Sequence, residues 1–273
     1  MEPFFGPADA ARCIAVPRDD DDKYSRGVVG FVTGSAKYPG AAVLGVDAAA
    51  HTGVGMIRYL GAGRPTRMVL QRRPEAVTAD GRVQAWVLGS GQDPERLDEL
   101  TAELLDDALS QNVPTVLDGG ALGRRADAAG PVLLTPHARE LSRLIDLDLD
   151  AILADPDAAA RRAAHELDAT VLLKGHTTRV ARAGSDRLLR VRSAPSWLAT
   201  AGAGDALAGI LGALLATHHE QLVADPDLLA PLAATGAVLH GLAAERASGG
   251  GPLTILDLVA ALPAVIAELL RIP

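Results

Sequence analysis

The chain has 273 residues, of which 48% are apolar, 22% charged and 3% aromatic, a balance that excludes a disordered chain and leaves room for one or two domains with an ample core. A formal net charge of −8 argues against nucleic acid as the main partner, and a single cysteine, Cys13, excludes a disulfide framework or a cysteine-rich metal site. Residues 1–7 show no basic stretch followed by an apolar run, and no apolar run reaches the roughly 18 residues of a membrane span, so a cytoplasmic protein is expected.

Residues 1–22 carry little periodicity and end in Arg18-Asp19-Asp20-Asp21-Asp22, read as a solvated leading segment. From residue 28 onward, apolar runs alternate with helical periods. Residues 28–33 read as a buried strand and 41–52 as a helix of small residues. A strand follows at 83–88 and a helix at 94–110, with Pro94 at its start. Short strands are expected at 115–117 and 132–135, and helices at 139–145 and 156–168. Three more strands fall at 171–173, 178–182 and 188–192. Helices over 203–218, 228–247 and 256–271 close the chain. This alternation predicts a single α/β domain over residues 23–273 with a mostly parallel sheet.

Parallel sheets bind ligands at the carboxyl ends of their strands, so polar clusters just after strands are the candidates. Gly202-Ala203-Gly204-Asp205 runs straight into an apolar helix. Its backbone N–H groups would lie at the positive helix end and suit a phosphate, and Asp205 could take a proton from an attacking hydroxyl. An ordinary capped helix start explains the tetrapeptide equally well. Leu173-Lys174-Gly175-His176-Thr177-Thr178 follows an apolar strand and fits either a nucleotide-contact loop or a plain turn. His137, in Leu134-Thr135-Pro136-His137-Ala138-Arg139-Glu140, stands at a strand-to-helix corner, either exposed or touching a substrate. Asp118, in Asp118-Gly119-Gly120, reads as a turn former or a water-mediated Mg²⁺ ligand. Gly34 and Gly40 have neither the spacing of a dinucleotide fingerprint nor that of a P-loop.

Taken in order, these segments resemble the ADP-dependent NAD(P)H-hydrate dehydratases. The resemblance rests on Lys23-Tyr24-Ser25-Arg26-Gly27, Gly34-Ser35, Tyr38-Pro39-Gly40-Ala41-Ala42, Asp118-Gly119-Gly120, the Thr-Pro-His-x-x-Glu run, Lys174-Gly175 with Thr178, and Gly202-Ala203-Gly204-Asp205. It covers about residues 23 to 270 and implies a ribokinase-like fold: a three-layer α/β sandwich around a mostly parallel central sheet. It implies repair of damaged nicotinamide cofactor: the S-epimer of the hydrate is dehydrated at the expense of ADP, releasing AMP and phosphate. Under it, Asp205 is the catalytic base. Ala41, Gly91, His137 and Asp205 hold the hydrate. Lys174, Gly175, His176, Thr177, Thr178 and Gly204 hold ADP or ATP, with Mg²⁺ as the counter-charge. A separate hydrate epimerase is the expected functional partner, and a homo-oligomer of up to four copies the expected assembly. Ala203 stands where the family usually has Thr. The Gly-Ala-Gly-Asp form is that of sugar and vitamin kinases of the same superfamily, so a small-molecule kinase is the alternative.

Overall fold

The computed structural model describes residues 4–61 and 63–272. In chain order the described elements are α1 (Pro7–Ala11), β1 (Val28–Val32), α2 (Pro39–Thr52), β2 (Met56–Tyr59), α3 (Arg64–Arg72), β3 (Ala85–Leu88), α4 (Glu99–Ser110) and β4 (Thr115–Leu117). A 3-10 segment, Gly119–Asp127, leads to β5 (Val132–Leu134), α5 (Ala138–Leu144), α6 (Leu149–Ala154), α7 (Pro156–Glu166), β6 (Thr170–Leu173), β7 (Thr178–Arg182) and β8 (Leu188–Val191). The chain ends in α8 (Ala203–Thr217), α9 (His219–Ala224), α10 (Leu229–Ser248) and α11 (Ile255–Leu269).

The eight strands form one sheet in the order β2-β1-β3-β4-β5-β6-β7-β8. Pairings from β2 across to β6 are parallel, and β7 and β8 join antiparallel. Alternate side chains feed opposite layers because successive Cβ atoms point to opposite faces. Val29 and Phe31 of β1 pack with α2, α8, α10 and α11, whereas Val28 and Val32 pack with α4, α5 and α7. The result is the three-layer α/β sandwich around a mostly parallel central sheet that the resemblance implied. It places the carboxyl ends of six strands, β1 to β6, along one edge.

Several expectations are corrected. The pattern missed β2 and α3, whose apolar positions are too few to show a period, and the short helices α1, α6 and α9. The helix expected from Pro94 starts at Glu99 instead, because Asp98 caps it through the Thr101 N–H at 2.9 Å. The helix expected over 156–168 ends at Glu166; Asp168 turns out of it at φ +44°. The leading segment is not featureless: Asp22 accepts from the Tyr24 and Ser25 N–H groups and so builds a turn. The helical stretch Pro226–Ser248 spans 23 residues and is long and apolar enough to cross a membrane, contrary to the reading that no run reaches that length. Its buried share is 72%, and it packs against α8 and α11 as a core helix.

Candidate active site

The loop after β8 ends at Gly202, which caps α8 at φ +90°, a conformation open to glycine and strained for other residues. No side chain caps this helix end, so its first turn offers main-chain N–H groups and positive dipole to an anion. Asp205 lies in that first turn. The carboxyl is pushed up to about 6, by burial first and by the negative charge of Asp118 second, while Lys174 pulls the other way.

Asp118 follows β4 and is only 5% exposed. One oxygen accepts from Thr135 Oγ1 at 2.8 Å and from Lys174 Nζ at 2.9 Å; the other accepts from Ser90 Oγ at 2.9 Å. That fully engaged carboxylate is an anchor for Lys174, a role beyond the turn former or Mg²⁺ ligand weighed from the sequence. Burial disfavours the Lys174 ammonium, but Asp118, Glu140 and Asp205 around it raise its pKa overall. Glu140 Oε2 stands 3.7 Å from Nζ.

An isolated parallel bridge between His137 and Lys174 continues the β5–β6 pairing past both strands. The Lys174 N–H donates to the Pro136 carbonyl at 2.8 Å. His137 caps α5: its Nδ1 accepts from the Arg139 and Glu140 N–H groups at 3.1 and 3.2 Å, and Glu140 accepts from the His137 N–H at 2.7 Å. With Nδ1 an acceptor, Nε2 is the ring's donor, and it stands 3.6 Å from Glu140 Oε1.

Two cavities open near the strand ends, and Lys174 of the charged centre lines one of them. One, of about 510 Å³, is lined by His137, Lys174, Gly175, His176, Thr178 and Gly204, with an apolar side from Leu198, Leu207 and Ala237. So five of the six expected nucleotide residues share one space; Thr177 does not line it, and His137 joins them there rather than meeting Ala41 and Gly91. The other cavity, of about 230 Å³, lies at the ends of β1 and β2, with Gly34 and Gln92 in its wall. Ala41 and Gly91 pack directly on each other beside it. A larger hollow of about 830 Å³, near Arg26, Gln84 and Thr217, contains none of the candidate residues.

Sequence reasoning missed some residues of the charged centre and of the cavity beside it. Ser90, Thr135 and Glu140 stood in segments already singled out by their strand-end positions. His240, inside the apolar run of α10, gave no such signal. It lines the larger flanking cavity, and burial pulls its imidazole down to about 4, so the ring is neutral near pH 7.

No group of three or more His, Cys, Asp or Glu suited to a metal ion occurs among the described residues. Instead, three carboxylates, Asp118, Glu140 and Asp205, share the single ammonium of Lys174. That surplus of negative charge suits a divalent cation brought in on phosphate, because magnesium keeps most of its waters and needs few protein ligands.

A family model described as NAD(P)H-hydrate dehydratase matches residues 29–257. The chain belongs to this family. The bifunctional NAD(P)H-hydrate repair enzyme Nnr of Corynebacterium glutamicum is 37% identical over 287 residues, covering 92% of this chain and 49% of that protein. The ADP-dependent (S)-NAD(P)H-hydrate dehydratase of Neisseria meningitidis is 35% identical over 246 residues, covering 83% of this chain and 79% of that protein. This NAD(P)H-hydrate dehydratase family member therefore spans about half the length of its bifunctional relatives. Its fold matches the crystal structure of the ADP/ATP-dependent NAD(P)H-hydrate dehydratase of Bacillus subtilis co-crystallised with ATP/Mg²⁺. The TM-score is 0.86 at 24% identity, over 98% of each chain.

Proposed function

We propose that this protein dehydrates the S-epimer of NAD(P)H hydrate, using ADP as phosphoryl donor and releasing AMP and phosphate. The observation that carries this reading is Asp205. Its carboxyl is partly desolvated and held at about 6, in the first turn of a helix whose end suits a phosphate. ADP would lie in the larger flanking cavity, its base against the apolar side and its phosphates at the start of α8 beside Lys174. Asp205 accepts the proton of the hydrate hydroxyl as that oxygen attacks the terminal phosphorus of ADP and AMP leaves. Lys174, anchored by Asp118, balances the charge on the transferred group. The ring nitrogen's lone pair then expels phosphate, and loss of a proton from the adjacent carbon restores the dihydronicotinamide.

Magnesium, carried by the phosphates, would sit near Asp205 and Glu140 and neutralise charge during transfer. ADP rather than ATP rests on the name of the Neisseria relative. The R hydrate needs an epimerase, and the cytoplasm, where nicotinamide cofactors turn over, is the compartment that fits.

The test mixes the purified chain with NADH hydrate, Mg²⁺ and ADP or ATP and follows the return of dihydronicotinamide absorbance. Recovery matched by AMP and phosphate is expected with ADP. The Gly-Ala-Gly-Asp loop keeps a kinase as second reading, and a stable phosphoester with no recovered cofactor would establish it instead.

A further inference from the structure

Thr33 and Gln92 both line the smaller cavity, and each has a buried side-chain oxygen with no hydrogen-bond partner among the described residues: Thr33 Oγ1 and Gln92 Oε1. Thr33 is 3% exposed. The Gln92 amide is held in one orientation, because its Nε2 donates to the Val32 carbonyl at 3.1 Å. That bond leaves Oε1 as a committed acceptor. The main-chain carbonyl of Thr33 is taken by Tyr59 Oη at 2.7 Å, so the Thr33 hydroxyl is the group left over. A buried polar group without a partner is destabilising, because it has lost its water and gained nothing in return. Two at one cavity, beside Gly34, Gly91 and Ala41, mark a place where a ligand's polar groups can meet them.

The two residues offer one acceptor and one hydroxyl able to donate. A primary carboxamide is the complement, with an NH₂ to give and a carbonyl to receive. The cofactor hydrate carries one, so this inference rests on the reaction proposed above. Hydration protonates the enamine carbon of the dihydronicotinamide ring, and water adds at the ring carbon beside the nitrogen. That carbon lies across the ring from the carboxamide. Strand order converts this chemistry into a direction. A carboxamide held at the β1 and β3 ends leaves the opposite hydroxyl able to face along the sheet edge to β4, where Asp118 stands with Asp205 within reach of its charge.

We propose that Thr33 and Gln92 read the carboxamide of the nicotinamide ring, Gln92 Oε1 accepting from its NH₂ and the Thr33 hydroxyl donating to its carbonyl. They select the substrate and orient its hydroxyl; neither takes part in proton or phosphoryl transfer.

The experiment compares the wild type with Thr33→Val, Thr33→Ser and Gln92→Leu. Substrates are NADH hydrate and the hydrate of the acetylpyridine analogue of NADH, in which a methyl ketone replaces the carboxamide. Calorimetric binding of NADH and of that analogue runs in parallel, and ADP binding confirms that each variant is folded. The wild type is expected to favour the carboxamide about tenfold in kcat/KM. Gln92→Leu loses about tenfold on the carboxamide and nothing on the ketone, which has no NH₂ to lose. Thr33→Val weakens both, since both keep a carbonyl, and Thr33→Ser retains wild-type behaviour. Unchanged discrimination in Gln92→Leu and unchanged kinetics in Thr33→Val would overturn the assignment. A wild type that fails to dehydrate the hydrate yet shows the same discrimination in NADH binding overturns the proposed reaction and keeps the carboxamide site. If neither turnover nor binding discriminates, both fall.

Discussion

In the proposed reaction Asp205 must give up its proton before it can accept one from substrate, and its surroundings make that harder. Burial and the nearby Asp118 carboxylate both favour the protonated form and lift the group to about 6. Turnover therefore falls as pH drops through about 6, and a pH profile of kcat/KM shows the acid limb there. Asp118→Asn removes the neighbouring charge and moves that limb to lower pH. It also frees Lys174 from its anchor, so the plateau rate falls. An unmoved limb would mean that Asp118 does not set the Asp205 proton affinity. Asp205→Asn keeps the helix end and the main-chain phosphate contacts but has no base. We expect ADP binding to persist, measured by calorimetry, while turnover drops by about 10² to 10⁴. Turnover close to wild type would remove Asp205 from the chemistry. At this scale the strand-end rule led to the correct segments, because polar residues directly after apolar runs are conspicuous. It could not reveal that Asp118 is buried and pinned by Ser90, Thr135 and Lys174, since those contacts come from four different loops.

Between elements, a buried cluster clamps α2 to α3. Asp47 of α2 is fully buried and accepts from Arg72 Nε at 3.0 Å and Arg73 Nε at 2.5 Å. Burial alone would raise this carboxyl, but hydrogen bonds from His51, Arg72 and Arg73 outweigh it and hold it down to about 2. A depressed acid contributes stability above its unfolded value near 4 and loses it as pH falls toward 2. Thermal melts across that window should show the loss. Asp47→Ala removes the shared carboxylate and strands two guanidinium groups, a destabilisation of about 3 kcal/mol in urea unfolding at neutral pH. The α2–α8 contact is tighter still. A Cβ at Gly209 would run into the Gly45 main chain, which has no room to yield. Gly209→Ala is therefore expected to cost about 1–3 kcal/mol through overpacking, read as a lower urea midpoint. Helices such as α8 and α10 were legible because their apolar runs are long. Strand β2 was not: only Ile57 and Tyr59 of its four residues are buried, and it lies at the sheet edge. Its partner helix α3 buries only Pro65 and Val69, too little to print a period.

Across the whole molecule, the strand order arranges the proposed chemistry as a line. In that proposal the cavity at β1 and β2 would take the nicotinamide end and the larger cavity at β6 to β8 the nucleotide, with the Asp118–Lys174–Asp205 centre at the ends of β4 to β6 and the start of α8. The expected homo-oligomer is a proposal at this scale, and light scattering on the purified chain checks it, with a mass of four copies of 28.1 kDa as the upper expectation.

The sequence by itself determined the alternation of strands and helices, the mostly parallel sheet, and the set of loops to suspect. Those depend on local periodicity and on glycine, proline and charge placed next to apolar runs, all of which neighbouring residues record. Only the tertiary structure decided which loops meet. It put Lys174 on Asp118 across 56 positions of chain, set His137 in the larger flanking cavity, and brought Thr33 and Gln92 to the smaller one. Such encounters depend on strand order and on the bridge that extends β5 and β6, and no window of sequence carries either. The raised Asp205 has the same origin, because burial and a neighbouring charge exist only once the sheet and α8 have closed around it.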